Sequence, residues 1–420
     1  MIYSFYTSSF YAYTLFFIAL ITYYILKKRP LLDEPVSFAL LLYFLYFVIS
    51  PIYDILTKNT TMGGVNLLSY YPKTQLISTI GIVSFLITYE KTNITLSKRP
   101  FHISSHKMLI NALVWEFIGL LGYFIWTRKL GVSLFVINPF KLSNAYLMLG
   151  ETSKKATGYL ALSLLFLVPS TLMFLELALR KVIKFTHWMV FLINFTLFLT
   201  RGVRYIILIA AGSMAVYYLK RTQKHLKRSH IIILTLFSIF IFTLVSYLRG
   251  SPSLSHLSLN TAFILSFFTS SISLFKPTAA VVHYIPKYHP FVMGETFLYT
   301  FLMPIPRIIW PQKPYPAFLK ILWKITGGRF FGYAVPNIGE YYANFGIPGI
   351  IFFMAILGGL LKVIYNIYKK NAKNELVLMS YSIFLFFIFQ IVSRGYFPQV
   401  FVQSVYLFAP LFSLYIIQKL

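Results

Sequence analysis

An all-α, polytopic bundle of membrane-spanning helices, with about eleven to thirteen spans, is the fold class the sequence predicts. Three observations predict it. The 420 residues are 58% hydrophobic and only 11% charged, with a mean hydropathy of +0.72, which leaves too little polar surface for an ordinary soluble domain. Apolar runs of roughly 17 to 25 residues recur throughout, the length an α-helix needs to cross hydrocarbon. Aromatic residues are abundant, 43 Phe and 32 Tyr, and the tyrosines often fall near run ends, where an amphipathic ring suits the headgroup layer. Backbone in lipid must satisfy its own hydrogen bonds, so such runs are helices; the alternating ten-residue segments of a membrane barrel do not occur.

The runs fall near 8–26, 36–53, 74–90, 108–127, 156–179, 185–200, 203–219, 231–248, 259–275, 291–309, 345–367, 376–393 and 399–417. The first has no basic leader and no small-residue cleavage pattern, so it is expected to be a retained helix. The pair 259–275 and 291–309 has two readings. "LNTAFILSFFTSSISLF" is polar for a lipid-facing helix, and "FVMGETFLYTFLMPIPRII" carries Glu295 and two prolines, so either both cross or both dip into the bilayer within protein. Crossing would put His283 and His289 on the cytoplasmic side. One transmembrane domain over 1–420 is expected, with 310–344 as its main extramembrane loop. Within that loop, "YPAFLKILWKI" has the spacing of a short interfacial amphipathic helix.

Charge sets the orientation. The connections "KKRPLLDE", "EKTNITLSKRPFHISSHK", "RKVIK", "KRTQKHLKR" and "KKNAKNE" are the basic loops expected in the cytoplasm, which puts the N-terminus outside. The net charge of +28 is spread over short loops with no soluble basic module; anionic lipid headgroups, and not nucleic acid, are the expected partners. The chain has no cysteine, which excludes disulfide, thiolate and cysteine–metal chemistry. The histidines have no metal-ligand spacing, so no metal and no cofactor is expected. For His256, His283 and His289, packing is weighed beside proton exchange.

With this orientation the outer face gathers Arg201 and Arg204 in "LTRGVRY", Arg249, Arg329 in "GGRF", and Arg394 in "SRGYFPQ". Residues three apart are neighbours on a helix, so Arg201 and Arg204 could present two planar, permanently charged forks to one phosphate group. Snorkelling from helix ends is the plainer alternative. Glu340, in "PNIGEYYANFGIPG", is expected near a helix start, as a cap, an arginine partner or a general base. Trp310 and Trp323 suit either interface anchoring or stacking on a sugar.

"IPRIIWPQKP" at 305–314 and "GEYYANFGIPGI" at 339–350, with "LTRGVRY" at 199–205 upstream, resemble the oligosaccharide repeat unit polymerase family, of the Wzy or O-antigen polymerase type. The resemblance implies a glycosyltransferase C-like fold and a multi-pass protein of the cell membrane with its active site on the extracytoplasmic face. It implies transfer of a glycan from a polyprenyl diphosphate donor to a sugar hydroxyl of a lipid-linked acceptor, with a flippase or chain-length regulator as further partners. Carried onto this chain, it makes Glu340, Arg201 and Arg204 the catalytic candidates. Arg249, Arg329, Arg394, Trp310, Lys313, Tyr341 and Asn344 become substrate-binding candidates. An O-antigen-ligase-like transferase and a transporter of polysaccharide or lipid-linked oligosaccharide stay open as alternatives.

Overall fold

The computed structural model describes residues 2–26, 34–96, 103–132, 159–182, 185–201, 203–223, 272–303, 309–314, 316–327 and 334–419, without 304 and 315 and with the single positions 243 and 305. Apolar stretches of hydrocarbon length become helices: α1 (Ile2–Leu26), α2 (Pro35–Leu56), α3 (Tyr71–Lys91), α4 (Ser105–Lys129), α5 (Tyr159–Leu179), α6 (Phe185–Arg201) and α7 (Arg204–Thr222). Three short helices follow, α8 (Phe275–Tyr284), α9 (Glu295–Leu302) and α10 (Ala317–Ile325), then α11 (Asn337–Lys370), α12 (Glu375–Ser393) and α13 (Phe397–Lys419). A two-stranded hairpin, β1 (Thr61–Met62) with β2 (Val65–Asn66), joins α2 to α3. Among the described residues six helices, α2, α4, α5, α11, α12 and α13, are long and apolar enough to cross a membrane. The protein is an all-α, multi-pass membrane bundle.

Helices in lipid gain nothing from hiding apolar surface, so small residues and interhelical hydrogen bonds carry their packing. α11 lies against α3 at Gly81 and Gly358. A methyl group on Gly358 would sit 2.2 Å from the Phe85 carbonyl oxygen, and Ser84 Oγ donates to Ile351 O at 2.8 Å. Gly119 and Gly122 admit α5 to α4 in the same way, with Ser170 Oγ 2.9 Å from Ala112 O and 2.7 Å from Glu116 Oε2.

One end of the bundle is closed by charge. Buried Glu176, at the end of α5, accepts from Arg180 Nε at 2.8 Å, Arg221 Nε and Nη2 at 3.0 Å and Tyr217 Oη at 2.7 Å. Glu375, at the start of α12, takes Arg180 Nη2 at 2.7 Å and Arg221 Nη2 at 3.2 Å. The loops at this end are the ones expected to be cytoplasmic.

The other end carries 54–70, the α6–α7 corner, 272–303, 316–327, 334–336 and the α12–α13 corner. Of the two readings of 291–309, its described residues fit the one that does not cross, while 259–271 lies outside the described residues. At about 12 Å, α9 is too short to span a bilayer. Lys276 Nζ donates to Asn59 O at 2.7 Å, and Val292 N and Met293 N donate to Ala343 O and Asn344 O at 3.0 and 3.1 Å. Thus 272–303, with His283 and His289, stays at this end. The predicted helix in "YPAFLKILWKI" is α10, with Phe318, Ile321 and Ile325 buried and Trp323 exposed. The last part of the predicted loop, 337–344, is helix.

Candidate active site

Two corners meet at the second end. α11 is broken at Phe345 (φ −139°, ψ 16°) and Gly346 (φ 65°, ψ −145°), the latter a backbone region open to glycine alone. The break frees carbonyls of the preceding turn, and the chain at 292–293 bonds two of them. Asn344 closes the joint. Its Nδ2 donates to Thr296 Oγ1 and Glu340 O, both at 2.9 Å, and its Oδ1 accepts from Gly294 N at 3.0 Å. The outer half of α11 is therefore held to α9.

That half carries Glu340, which is fully buried. Its oxygens accept from Phe397 N at 3.1 and 3.0 Å, and Thr296 adds a side-chain hydrogen bond. Phe397 is the first residue of α13, so Glu340 caps the start of a different helix from its own. Glu295 does likewise for α10, accepting from Ala317 N at 2.8 Å. The α12–α13 corner is fixed a second time by Gly395, whose N–H donates to Val335 O at 2.7 Å.

On this frame sit three arginines. Arg201 ends α6 and Arg204 begins α7, with Val203 between them extended (φ −101°, ψ 100°). The shared helical face expected from their spacing does not form; the pair meets across a corner. Arg201 stacks on the buried indole of Trp126, 4.3 Å from guanidinium carbon to ring centre. Two buried phenols tie the arginines to one neighbourhood. The Tyr205 hydroxyl interacts electrostatically with Arg201 and Arg394, and that of Tyr46 with Arg204 and Arg394. Gln403 Nε2 donates to Tyr205 Oη at 3.1 Å, and Gln390 Nε2 to Gln403 Oε1 at 2.8 Å, forming a polar floor beneath them.

Next to Arg394 opens an apolar groove of about 340 Å³ between α11, α12 and α13. Asn337, Tyr341 and Gly395 line it near the corner; Phe353, Ile356 and Leu360 of α11, Phe384 and Phe387 of α12 and Phe401 of α13 line the rest. Its lining along α13 runs from Phe397 to Phe408, about 16 Å at the helical rise. Ile356 and Leu360 are about half exposed, so the groove opens sideways toward the bilayer.

A profile for the family described as O-antigen polysaccharide polymerase Wzy matches residues 1–420. The chain belongs to the Wzy O-antigen polymerase family. No curated protein and no solved structure gives a significant match. In this Wzy polymerase, Arg394 shares Tyr205 with Arg201 and Tyr46 with Arg204 as electrostatic neighbours, whereas Arg249 and Arg329, with His256, lie outside the described residues. Lys313 is buried and donates to Met303 O and Ile305 O at 3.1 and 2.9 Å; it organises the loop. Trp310 is exposed, and Tyr341 lines the groove. Among the described residues no group of three or more His, Asp or Glu side chains is placed to hold a metal ion.

Tyr396 escaped the sequence reading, and so did Tyr46, Tyr205 and the glutamine pair. The Tyr396 hydroxyl is buried with no hydrogen-bond partner. Burial, then the neighbouring Tyr299, Glu340 and Glu295, push its phenol well above the ordinary tyrosine range, so it stays a proton-bearing donor. Gln390 and Gln403, two amides inside strongly apolar runs, were the available signal.

Proposed function

We propose that the Wzy polymerase joins lipid-linked repeat units at the arginine corner, in a glycosyltransferase C-like arrangement on the extracytoplasmic face. The acceptor sugar's hydroxyl oxygen bonds to the donor's anomeric carbon. The bond from that carbon to the diphosphate oxygen breaks with its electron pair, and the hydroxyl proton is released. Negative charge grows on the departing polyprenyl diphosphate, and Arg201, Arg204 and Arg394 stabilise it to the extent that their bonds tighten as charge develops. The observation that carries this reading is the meeting of three arginines beside a lipid-facing apolar groove, which matches a ligand with a diphosphate head and an isoprenoid tail. Nearby acids support it: Glu340 and Glu295 are engaged by backbone N–H groups, and Asp54 lies 3.5 Å from Lys276 Nζ. The basic loops at the opposite end support the orientation.

Glu340 takes a positioning role here, setting the α12–α13 corner from which Arg394 projects. Purified protein given lipid-linked repeats, without nucleotide sugar, is expected to make longer lipid-linked glycans. Arg394→Ala or Arg204→Ala should lower turnover about 10²–10³-fold, as for loss of one donor to a developing oxyanion, with Lys in either position restoring only part of it. Movement of repeats without covalent elongation would favour the transporter reading. Transfer to a core acceptor only would favour the ligase reading.

A further inference from the structure

The same end of the bundle holds a second recess, of about 220 Å³, separate from the arginines. Three parts of the chain form it: the β1–β2 hairpin at Gly63 and Val65, α8 and its following turn at His283, Tyr284 and Tyr288, and the end of α10 at Lys324. A glycine sets its shape. Gly63 has φ +56°, and a methyl group there would lie 2.1 Å from Ile325 O, so the hairpin tip rests directly on the α10 backbone.

One wall is aromatic. Tyr70 and His283 meet edge to face with centres 4.6 Å apart, His283 and Tyr288 lie at 5.3 Å, and Tyr284 and Tyr288 at 5.7 Å. Tyr288 is 55% exposed, its ring therefore available to a ligand. His283 Nδ1 is buried and has no hydrogen-bond partner. Burial, and then the charge of Lys287, lower the His283 pKa, which keeps the imidazole neutral. Lys324 adds an ammonium group from the α10 side.

Ring faces and an ammonium suit a ligand with one weakly polar C–H face and several hydroxyls. An isoprenoid tail would leave the polar groups unanswered. A diphosphate is better met by the arginine corner than by a wall of rings. We propose that this recess binds a sugar ring of the glycan, as a holding subsite distinct from the site of transfer, and keeps the product chain on the enzyme between couplings. It rests on the polymerase reading only in taking the glycan as product. The backbone links the two places, since the chain leaving Tyr288 reaches the break in α11 through Val292 and Met293.

The test uses the full-length protein in nanodiscs with two variants. Tyr288→Ala removes an exposed ring, and Val65→Trp fills the recess from the hairpin side. The probe is a set of fragments, of one to several repeats, of the source cell's surface polysaccharide, followed by saturation-transfer NMR. Tyr288→Ala should weaken binding about tenfold, the scale of one aromatic contact, and Val65→Trp should abolish it. With lipid-linked repeats as substrate, both should give shorter products while the first coupling of two repeats keeps its parent rate. Unchanged binding together with unchanged product length overturns the subsite, as does a slowed first coupling with unaltered length. A parent protein that binds fragments in a Tyr288-dependent manner yet never elongates upholds the subsite and overturns the transfer chemistry instead.

Discussion

Substituting Gly395 by alanine should damage both stability and turnover, for a reason visible in the backbone. A methyl group at 395 would lie 2.4 Å from Asn337 Cα, 2.6 Å from Asn337 N and 2.7 Å from Pro336 C. All three are main-chain atoms, so no side chain can swing aside; the start of α11 and the α12–α13 corner must separate. Overpacking of this kind costs about 1–3 kcal/mol. Loss of the Gly395 N to Val335 O bond adds about 0.5–1.5 kcal/mol, which gives about 1.5–4.5 kcal/mol together. The displaced neighbour is Arg394, and a misplacement of about 1 Å in a positioning group can lower a rate about a hundredfold. Gly359→Ala is the control: a methyl group there would meet only Thr88 Cγ2 at 3.4 Å and Thr92 Oγ1 at 3.5 Å, and replacing a mid-helix glycine should raise stability by about 0.5–1 kcal/mol. Thermal unfolding in detergent, followed by tryptophan fluorescence, and chain elongation from lipid-linked repeats read the two effects. A Gly395→Ala protein that melts and elongates like its parent would refute the claim that this contact positions the corner.

Glu340→Gln keeps an oxygen facing Phe397 N and should retain elongation within a few fold. Glu340→Ala should lose about 0.5–2 kcal/mol with the cap; a hundredfold loss in the glutamine variant at unchanged melting temperature would make Glu340 a base instead. At the opposite end, Glu176→Gln leaves Arg180 and Arg221 only Glu375 as an acidic partner among the described residues. Breaking a buried ion pair on one side costs about 3–5 kcal/mol, so that variant should unfold at clearly lower temperature in the same assay, and parent-like melting would show that Glu375 suffices. His283 has its pKa lowered by burial and by Lys287, so the unfolded chain takes up its proton first as pH falls. Its contribution to stability should be full above the unfolded value of about 6.5 and decline as pH drops from there toward the folded value. Melting temperatures measured across that window should fall less in His283→Gln; parallel curves would mean that His283 does not titrate differently on folding.

The spans at 108–127, 376–393 and 399–417 correspond to α4, α12 and α13 because hydrocarbon thickness is a constraint on length, and length is written directly in a sequence. The start of α11 was not legible. "GEYYANFG" looks like a loop because Glu340 and Asn344 find partners at Phe397, Thr296 and Gly294, which are adjacent only after folding. The stretch 291–309 stayed open between two readings for a related reason: apolar residues of 295–302 pack in a short helix at the bundle's end, as Phe297 on Phe353 at 4.4 Å illustrates. The arginines were legible as charges, since positive residues at run ends stand out. Their common neighbours were not, because Arg394 reaches Tyr46 and Tyr205 through the packing of α12 beside α7 and α2, which no local spacing encodes.

The glycine break in α11 has a consequence for how the protein tolerates change. Beyond it, 347–370 is shaped by the thickness of the bilayer and by α3, whose glycine-mediated fit allows little sliding. Before it, 337–344 is shaped by what the corner must present. An uninterrupted rod would transmit each adjustment of the membrane half to Glu340 as a rotation of roughly 100° per residue inserted. A joint at Gly346, sealed by the carbonyl bonds from 292–293, uncouples the two halves, so that an adjustment of the membrane half need not turn Glu340.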